Sequence, residues 1–268
     1  MAIFSPVRTP NAIDQCVFVV KLSQKIGETH LEALRQLEQA LDGEFINFHE
    51  VKLQGIVISP DGANTQESRT IGVECHTTVH PQQHLINNER SDWVIRIVEE
   101  SIQINCLNYT NWAESIEYVD NLLAKVFKCL PTDEIIISSI HFQVNDSFVV
   151  QDSIEKIDFS QLFNQSKYLP KNVWDAGSLW HVNSGWFDDP EDNKALNVLN
   201  ISVRKDVTEK VKLMVLIEHL QQITLDPMTI VENNKDAPIS IFNHLHDKNK
   251  SVVKELLTSD IKNKIGLS

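Results

Sequence analysis

The sequence predicts an α+β fold in which largely antiparallel sheets are covered by long amphipathic helices. Most segments alternate apolar with polar residues, as half-buried strands do, whereas three segments repeat apolar residues every three or four positions, as helices do. Both patterns occur on each side of a weakly patterned stretch at residues 151–173. We therefore expect two similar halves: an N-terminal half at residues 1–150, a connector at 151–173, and a C-terminal β-β-β-α half at 174–268.

The first half begins with a β-rich segment at residues 12–22, and a short helix follows it. Thr29 is placed to cap this helix, and Asp42-Gly43 ends it. The apolar positions of the helix are Leu31, Leu34, Leu37 and Leu41. Residues 45–59 and 70–79 then alternate in the manner of strands, with a turn between them.

Residues 93–130 form the most strongly specified unit, an alternating strand that leads into a long helix. The strand has apolar positions at Trp93, Ile95, Ile97, Ile102 and Ile104. Asn111 or Thr110 can cap the helix with Glu114 as the capping-box partner, and Pro131 prevents its continuation. One apolar stripe runs along the helix and needs a covering surface: Trp112, Ile116, Val119, Leu122, Leu123, Val126, Phe127 and Leu130.

A strand at residues 134–150 closes the first half, and three more strands are predicted in the second half. These three occupy residues 177–187, 195–204 and 211–224, with polar turns between them. A final helix begins near Asp236 or Pro238. Its apolar residues are Ile241, Leu245, Val252, Val253, Leu256 and Leu257.

The charge balance disfavours several classes of partner. The chain has 24 Lys and Arg against 37 Asp and Glu, a net charge of −13, which repels nucleic acid and anionic membrane surfaces. A lysine-rich C-terminal stretch is the segment in which nucleic-acid binding stays open: Lys248, Lys250, Lys254, Lys262 and Lys264. No signal-peptide pattern or membrane-spanning apolar run is present, so we expect a cytoplasmic protein with no membrane association. The four cysteines are scattered and are expected to be buried reduced thiols: Cys16, Cys75, Cys106 and Cys129.

Two histidine-containing segments are candidates for chemistry. Cys75, His76, His80 and His84 are ligand-type residues for a transition metal, but they lack a second group with matching spacing and read more simply as residues of a polar loop. His246 and Asp247 could act together as general acid and base, and the competing interpretation is a helix surface. We expect no metal, no cofactor and no assigned catalytic residue.

Three tryptophans are the best candidates for a binding surface. Trp174, Trp180 and Trp186 recur every six residues, with His181 between the last two. Exposed aromatic rings beside polar groups could bind a ligand or the side chains of a partner. The even spacing would equally place all three rings on one buried strand face, where they would fill the core.

Four segments resemble parts of a sporadically distributed family of uncharacterised bacterial and archaeal proteins of similar length. The clearest is Asn108-Tyr109-Thr110-Asn111-Trp112-Ala113-Glu114, which resembles the family's Tyr-x-x-Trp hallmark where a strand leads into a helix. The others are Arg8-Thr9-Pro10 before the first strand, residues 137–145 with Asn145 retained, and Leu245-His246-Asp247 followed by Leu257-Thr258. The resemblance implies no established activity or catalytic residue. The patchy distribution of the family among organisms implies a defence or toxin-antitoxin setting.

The acidic charge and the lack of a catalytic motif predict a non-enzymatic protein that binds a basic protein partner. The alternative is an enzyme or small-ligand-binding protein with a site between the two halves, built from His246 and Asp247 or from the three tryptophans. The sequence does not discriminate between oligomeric states.

Overall fold

The protein consists of a ten-stranded β-sheet with helices packed on one face. This architecture comes from a computed structural model. The structure describes residues 4–41, 43–58, 64–77, 91–130, 135–150, 157–188, 195–206, 212–230 and 237–267. Each described strand pairing is antiparallel. The order across the sheet is β3-β4-β5-β6-β2-β7-β10-β9-β8, and β1 pairs with β7. The predicted α+β class with largely antiparallel strands is therefore confirmed, whereas the described strands form one sheet and the sequence predicted more than one.

The strands are β1 (Phe4–Pro6), β2 (Ile13–Leu22), β3 (Asn47–Ile58), β4 (Asn64–His76), β5 (Trp93–Val98), β6 (Ser101–Cys106), β7 (Ile136–Val150), β8 (His181–Phe187), β9 (Ala195–Asp206) and β10 (Lys212–Ile230). The helices are α1 (Glu28–Arg35), α2 (Leu37–Ala40), α3 (Trp112–Cys129), α4 (Ala237–Leu256) and α5 (Ser259–Lys264). None of these described helices is long and apolar enough to cross a membrane.

Residues 93–106 form a hairpin, where the sequence predicted one alternating strand. β5 and β6 pair antiparallel, and Glu99 in their turn has a φ of 51°. Ile97 and Ile102 lie opposite each other in this hairpin and are both buried. Their separation along the chain is odd, so a continuous strand would have put them on opposite faces. This switch of the apolar residues from odd to even positions was therefore a signal in the sequence for a turn between them.

Several other predicted boundaries shift in the structure. The first predicted helix is split at Gln36 into α1 and α2, and its N-cap is Gly27 and not the predicted Thr29. The Gly27 amide donates a hydrogen bond to His30 Nδ1. The strand predicted at 177–187 begins only at His181. β10 continues to Ile230, beyond the predicted end at residue 224, and its pairing register with β7 shifts between Thr224 and Thr229. Pro227 lies in that irregularity and has no amide hydrogen for the ladder.

Helix α3 begins as its sequence predicts. The Asn111 side chain accepts a hydrogen bond from the Glu114 amide at 3.0 Å, and the Thr110 hydroxyl donates to the Glu114 carboxylate at 2.8 Å. The first bond satisfies a backbone N–H that the first turn of a helix leaves without a partner, and the second joins two side chains across that turn. The buried side chains of α3 are Ser115, Val119, Leu122, Leu123, Val126 and Phe127.

Two apolar cores meet under β7. The first core packs α1 to α4 on the sheet and includes Phe18, Phe142 and Phe242, whereas the second includes Phe148 and Leu256. β7 belongs to the first predicted half and pairs along its length with β10 of the second, so one sheet crosses the proposed boundary. The division into two similar halves stays a prediction.

Candidate functional site

A cavity of about 380 Å³ lies between the sheet and α4, where the two cores meet. We call it the central cavity. The sheet contributes Val144 and Asp146, α4 contributes His246 and Asn249, and Tyr109 comes from the segment before α3. Its other lining residues are Pro10, Asn11, Ala12, Ile13, Cys16, Thr110, Asn111, Trp112, Phe142, Lys250, Val253, Ile265, Gly266 and Leu267. This volume is in the usual range for small-molecule sites.

Asp146 is the acidic residue of the central cavity, and its side chain is only 4% exposed. It occupies a core-facing position of β7 between Val144 and Phe148, opposite Ile13 and Ile217 on the neighbouring strands. No described residue makes a hydrogen bond to its carboxyl group. Burial therefore raises the pKa of Asp146 to about 7, because a carboxylate without donors is costly in an apolar setting.

Two aromatic residues form the wall next to this carboxyl group. The Trp112 indole stacks on the His246 imidazole with ring centroids 3.9 Å apart, and its Nε1 donates to Asn243 Oδ1 at 2.8 Å. These contacts join the start of α3 to α4. Burial raises the pKa of Tyr109, with smaller contributions from Cys16 and Asp146 among its neighbours, so its hydroxyl stays protonated at neutral pH.

A buried polar network holds Asn249, which lies three residues after His246 on α4 and also lines the cavity. The Asn249 amide donates to His219 Nδ1 at 3.0 Å, which leaves His219 Nε2 to donate to Asn197 Oδ1 at 3.2 Å. The Gln221 amide also donates to Asn197 Oδ1, at 3.1 Å. Burial lowers the pKa of His219 to about 4, so its imidazole is neutral. The network therefore holds Asn249 in one orientation.

Of the residues that the sequence analysis singled out for binding, His246 lines the central cavity. Its Nδ1 lies 3.3 Å from Asp247 Oδ1, and burial lowers its pKa. The Asp247 side chain is 81% exposed and is not among the residues that line the cavity. His181 is also exposed, at the start of β8. The His246 and Asp247 pair thus exists, but only its histidine contributes to the site.

The three tryptophans are half-buried against the second core rather than exposed together. Trp174 lies in a 3₁₀ turn and not in a strand. Trp180 precedes β8, and its ring centroid lies 5.2 Å from that of Phe159. Trp186 in β8 packs between Tyr168 at 4.9 Å and His219 at 5.7 Å. Trp186 therefore contacts the network behind the central cavity, while none of the three lines the cavity itself.

Cys75 and His76, the two candidate metal ligands that the structure describes, lie on opposite faces of β4. Cys75 is buried in the first core, whereas its neighbour His76 lies on the other face of β4 and hydrogen-bonds to Glu74 at 2.8 Å. His80 and His84 lie outside the described residues. Within the described part of the chain, no group of three or more His, Cys, Asp or Glu side chains could hold a metal ion.

Sequence reasoning missed Asp146 as a site residue and assigned Tyr109 and Trp112 to the scaffold alone. One signal was available: Phe142, Val144, Asp146 and Phe148 share one strand face, and three of these four residues are apolar. An acidic residue in such a row is either paired or functional. No protein-family model matches the chain, and no curated protein matches it.

Proposed function

We propose that the protein binds a small, mostly apolar molecule in the central cavity. The observation that carries this proposal is the Asp146 carboxyl group, which lines the cavity at 4% exposure and has no hydrogen-bond partner among the described residues. A buried polar group without a partner costs free energy, and proteins retain such groups mainly at functional sites. A ligand that bonds to Asp146 would supply the missing partner.

The construction of the cavity supports a preformed binding site. Aromatic and aliphatic side chains dominate the lining, and a few polar groups converge on it, as is usual for small-molecule sites. Asn249 is held by His219, and His246 is held by Trp112. Side chains fixed in this way need little ordering when a ligand binds.

The cavity supports binding more directly than catalysis. A carboxyl group with a pKa near 7 suits proton transfer at neutral pH. However, burial and the neighbouring Cys106 and Asp146 raise the pKa of the Cys16 thiol well above its usual range, so Cys16 is a poor nucleophile. We therefore assign a binding role to the cavity and no catalytic role.

A small-molecule screen with a cavity-filling variant tests this proposal. We expect compounds of about ten heavy atoms to raise the melting temperature of the wild-type protein, because a ligand that binds only the folded state stabilises it. Val144→Phe places a ring in the cavity and should abolish these shifts while the protein stays folded by circular dichroism. Shifts that persist in Val144→Phe, or a complete absence of hits with the wild-type protein, would contradict the proposed site.

A second candidate function is the binding of a basic protein partner, as the net charge of −13 suggests. The specific observation in its favour is β8, which lies at one end of the sheet and carries Phe187 at 66% exposure. An exposed edge strand offers unpaired backbone groups to another chain. Membership of the sporadically distributed family, and with it a defence-type system, is likewise a proposal, which rests on the four segments of resemblance and chiefly on the Tyr109 and Trp112 motif.

The partner proposal is tested by affinity purification from the native host with tagged protein. We expect a basic partner that dissociates at high salt and that the Phe187→Ser variant no longer retains. Leu179→Ser removes a similarly exposed apolar side chain outside the strand, at 48% exposure, and should retain the partner. Equal retention by both variants would exclude β8 as the contact.

A further inference from the structure

We propose that the ligand of the central cavity carries a protonated primary amine on an apolar or aromatic body, and that its ammonium group pairs with Asp146. This inference rests on the proposed function and specifies the chemical class of the ligand. Asp146 is the one acidic side chain among the described residues that line the cavity. The amine is therefore expected to enter the cavity first and the apolar body to fill the space behind it.

The surroundings of the carboxyl group favour a cation over a neutral donor. Asp146 lies among apolar side chains, with Val144 beside it on β7 and Ile13 and Ile217 across from it. No donor from the described part of the chain is bonded to it, and Asp146 is only 4% exposed. An ammonium group brings both three hydrogen-bond donors and the opposite charge, and both stabilise the ionised carboxylate. A neutral alcohol brings only one donor and no charge.

The other titratable groups around Asp146 leave the charge of its carboxylate unbalanced. Burial keeps the Cys16 thiol on β2 and the Tyr109 hydroxyl before α3 protonated and uncharged at neutral pH. On α4, burial lowers the pKa of His246, which keeps its imidazole neutral, and Lys250 is exposed to solvent. Burial is the only cause of the raised pKa of Asp146, so no described cation stabilises its carboxylate.

Two further features attract a cation to this position. The ring of Tyr109 lines the same cavity, and the faces of aromatic rings attract ammonium groups. The net charge of −13 raises the local concentration of small cations around the protein and lowers that of anions. Both effects favour binding of a cationic ligand, as the Asp146 carboxylate does.

Titration calorimetry with matched compounds tests the inference. The probes are benzylamine and cyclohexylmethylamine, each compared with benzyl alcohol or cyclohexylmethanol. We expect the wild-type protein to bind each amine about 10- to 100-fold more tightly than its alcohol, which is the usual worth of a charge-assisted hydrogen bond. Binding of an amine at pH 6 should also release close to one proton, because Asp146 must ionise.

Three variants distinguish the possible outcomes. Asp146→Asn should bind amine and alcohol equally, Asp260→Asn on exposed α5 should behave as the wild-type protein does, and Val144→Phe should bind neither compound. Alcohols that bind the wild-type protein as tightly as amines, with binding lost in Val144→Phe, would overturn the amine inference and leave the binding site intact. Failure of every probe and of the wider screen would overturn both.

Discussion

Replacing Asp146 with asparagine is expected to stabilise the protein at pH 8 by on the order of 4 kcal/mol, and to have little effect near pH 4. The pKa of this carboxyl group is raised from 3.8 in the unfolded chain to about 7 in the folded protein. Between these values the folded state holds one more proton than the unfolded state, so the stability of the wild-type protein falls as the pH rises through this range. Each pKa unit corresponds to about 1.4 kcal/mol. Asparagine has a similar shape and does not ionise.

The measurement is urea denaturation of both proteins from pH 4 to pH 8, and the quantity of interest is the difference between them. The wild-type curve alone is ambiguous because burial lowers the pKa of both His219 and His141 to about 4. Those histidines stabilise the folded state above their usual pKa of 6.5, and that contribution is lost as the pH falls toward 4, opposite in sign to Asp146. An Asp146→Asn variant no more stable than the wild-type protein at pH 8 would show that the carboxylate is paired or hydrated.

Truncating Trp112 to alanine is expected to destabilise the protein by about 3–5 kcal/mol, the usual cost of removing a large aromatic side chain from a packed site. The indole contacts Phe18 and Phe142 in the first core, with ring centroids 5.9 and 5.4 Å apart. It also stacks on His246 and donates to Asn243, both on α4. Its loss removes contacts from the sheet and from both helices at once.

Trp112→Phe is the matched control for this prediction. It retains an aromatic ring against His246 and Phe142 but loses the hydrogen bond to Asn243, for which we expect a cost of about 1 kcal/mol. Chemical denaturation measures both variants. Truncation should also expose His246 and raise its pKa toward the ordinary value, which proton NMR of the imidazole detects. A loss of less than 1 kcal/mol in Trp112→Ala would contradict the role of Trp112 as the link between α3 and α4.

Local features of the fold were predictable because they depend on neighbouring residues. The Asn111 cap and the apolar stripe of α3 follow from spacing alone, and so does the class of the fold. The hairpin at Glu99 was also recoverable from the change in apolar phase between Ile97 and Ile102. The irregular end of β10 at Pro227 was harder to predict from the sequence, because the strand continues after the interruption.

The composition of the site was much less predictable, since it depends on which strands become neighbours. The sequence gives no direct signal that β7 lies between β2 and β10, and this order alone brings Asp146 between Ile13 and Ile217. Similarly, the stack of Trp112 on His246 joins residues far apart along the chain. The even spacing of Trp180 and Trp186 was visible in the sequence, but their packing depends on Phe159 and Tyr168, which come from the segment between β7 and β8.

The most direct test of the site is the titration of the Asp146 carboxyl carbon by ¹³C NMR, with the signal assigned from its absence in Asp146→Asn. An unpartnered carboxyl group in the central cavity should titrate with a midpoint at about 7 in the free protein. Adding benzylamine should lower that midpoint, because an ammonium partner stabilises the carboxylate. A midpoint at the ordinary value of 3.8 in the free protein would contradict the account, because the carboxyl group would then already be hydrated or bonded.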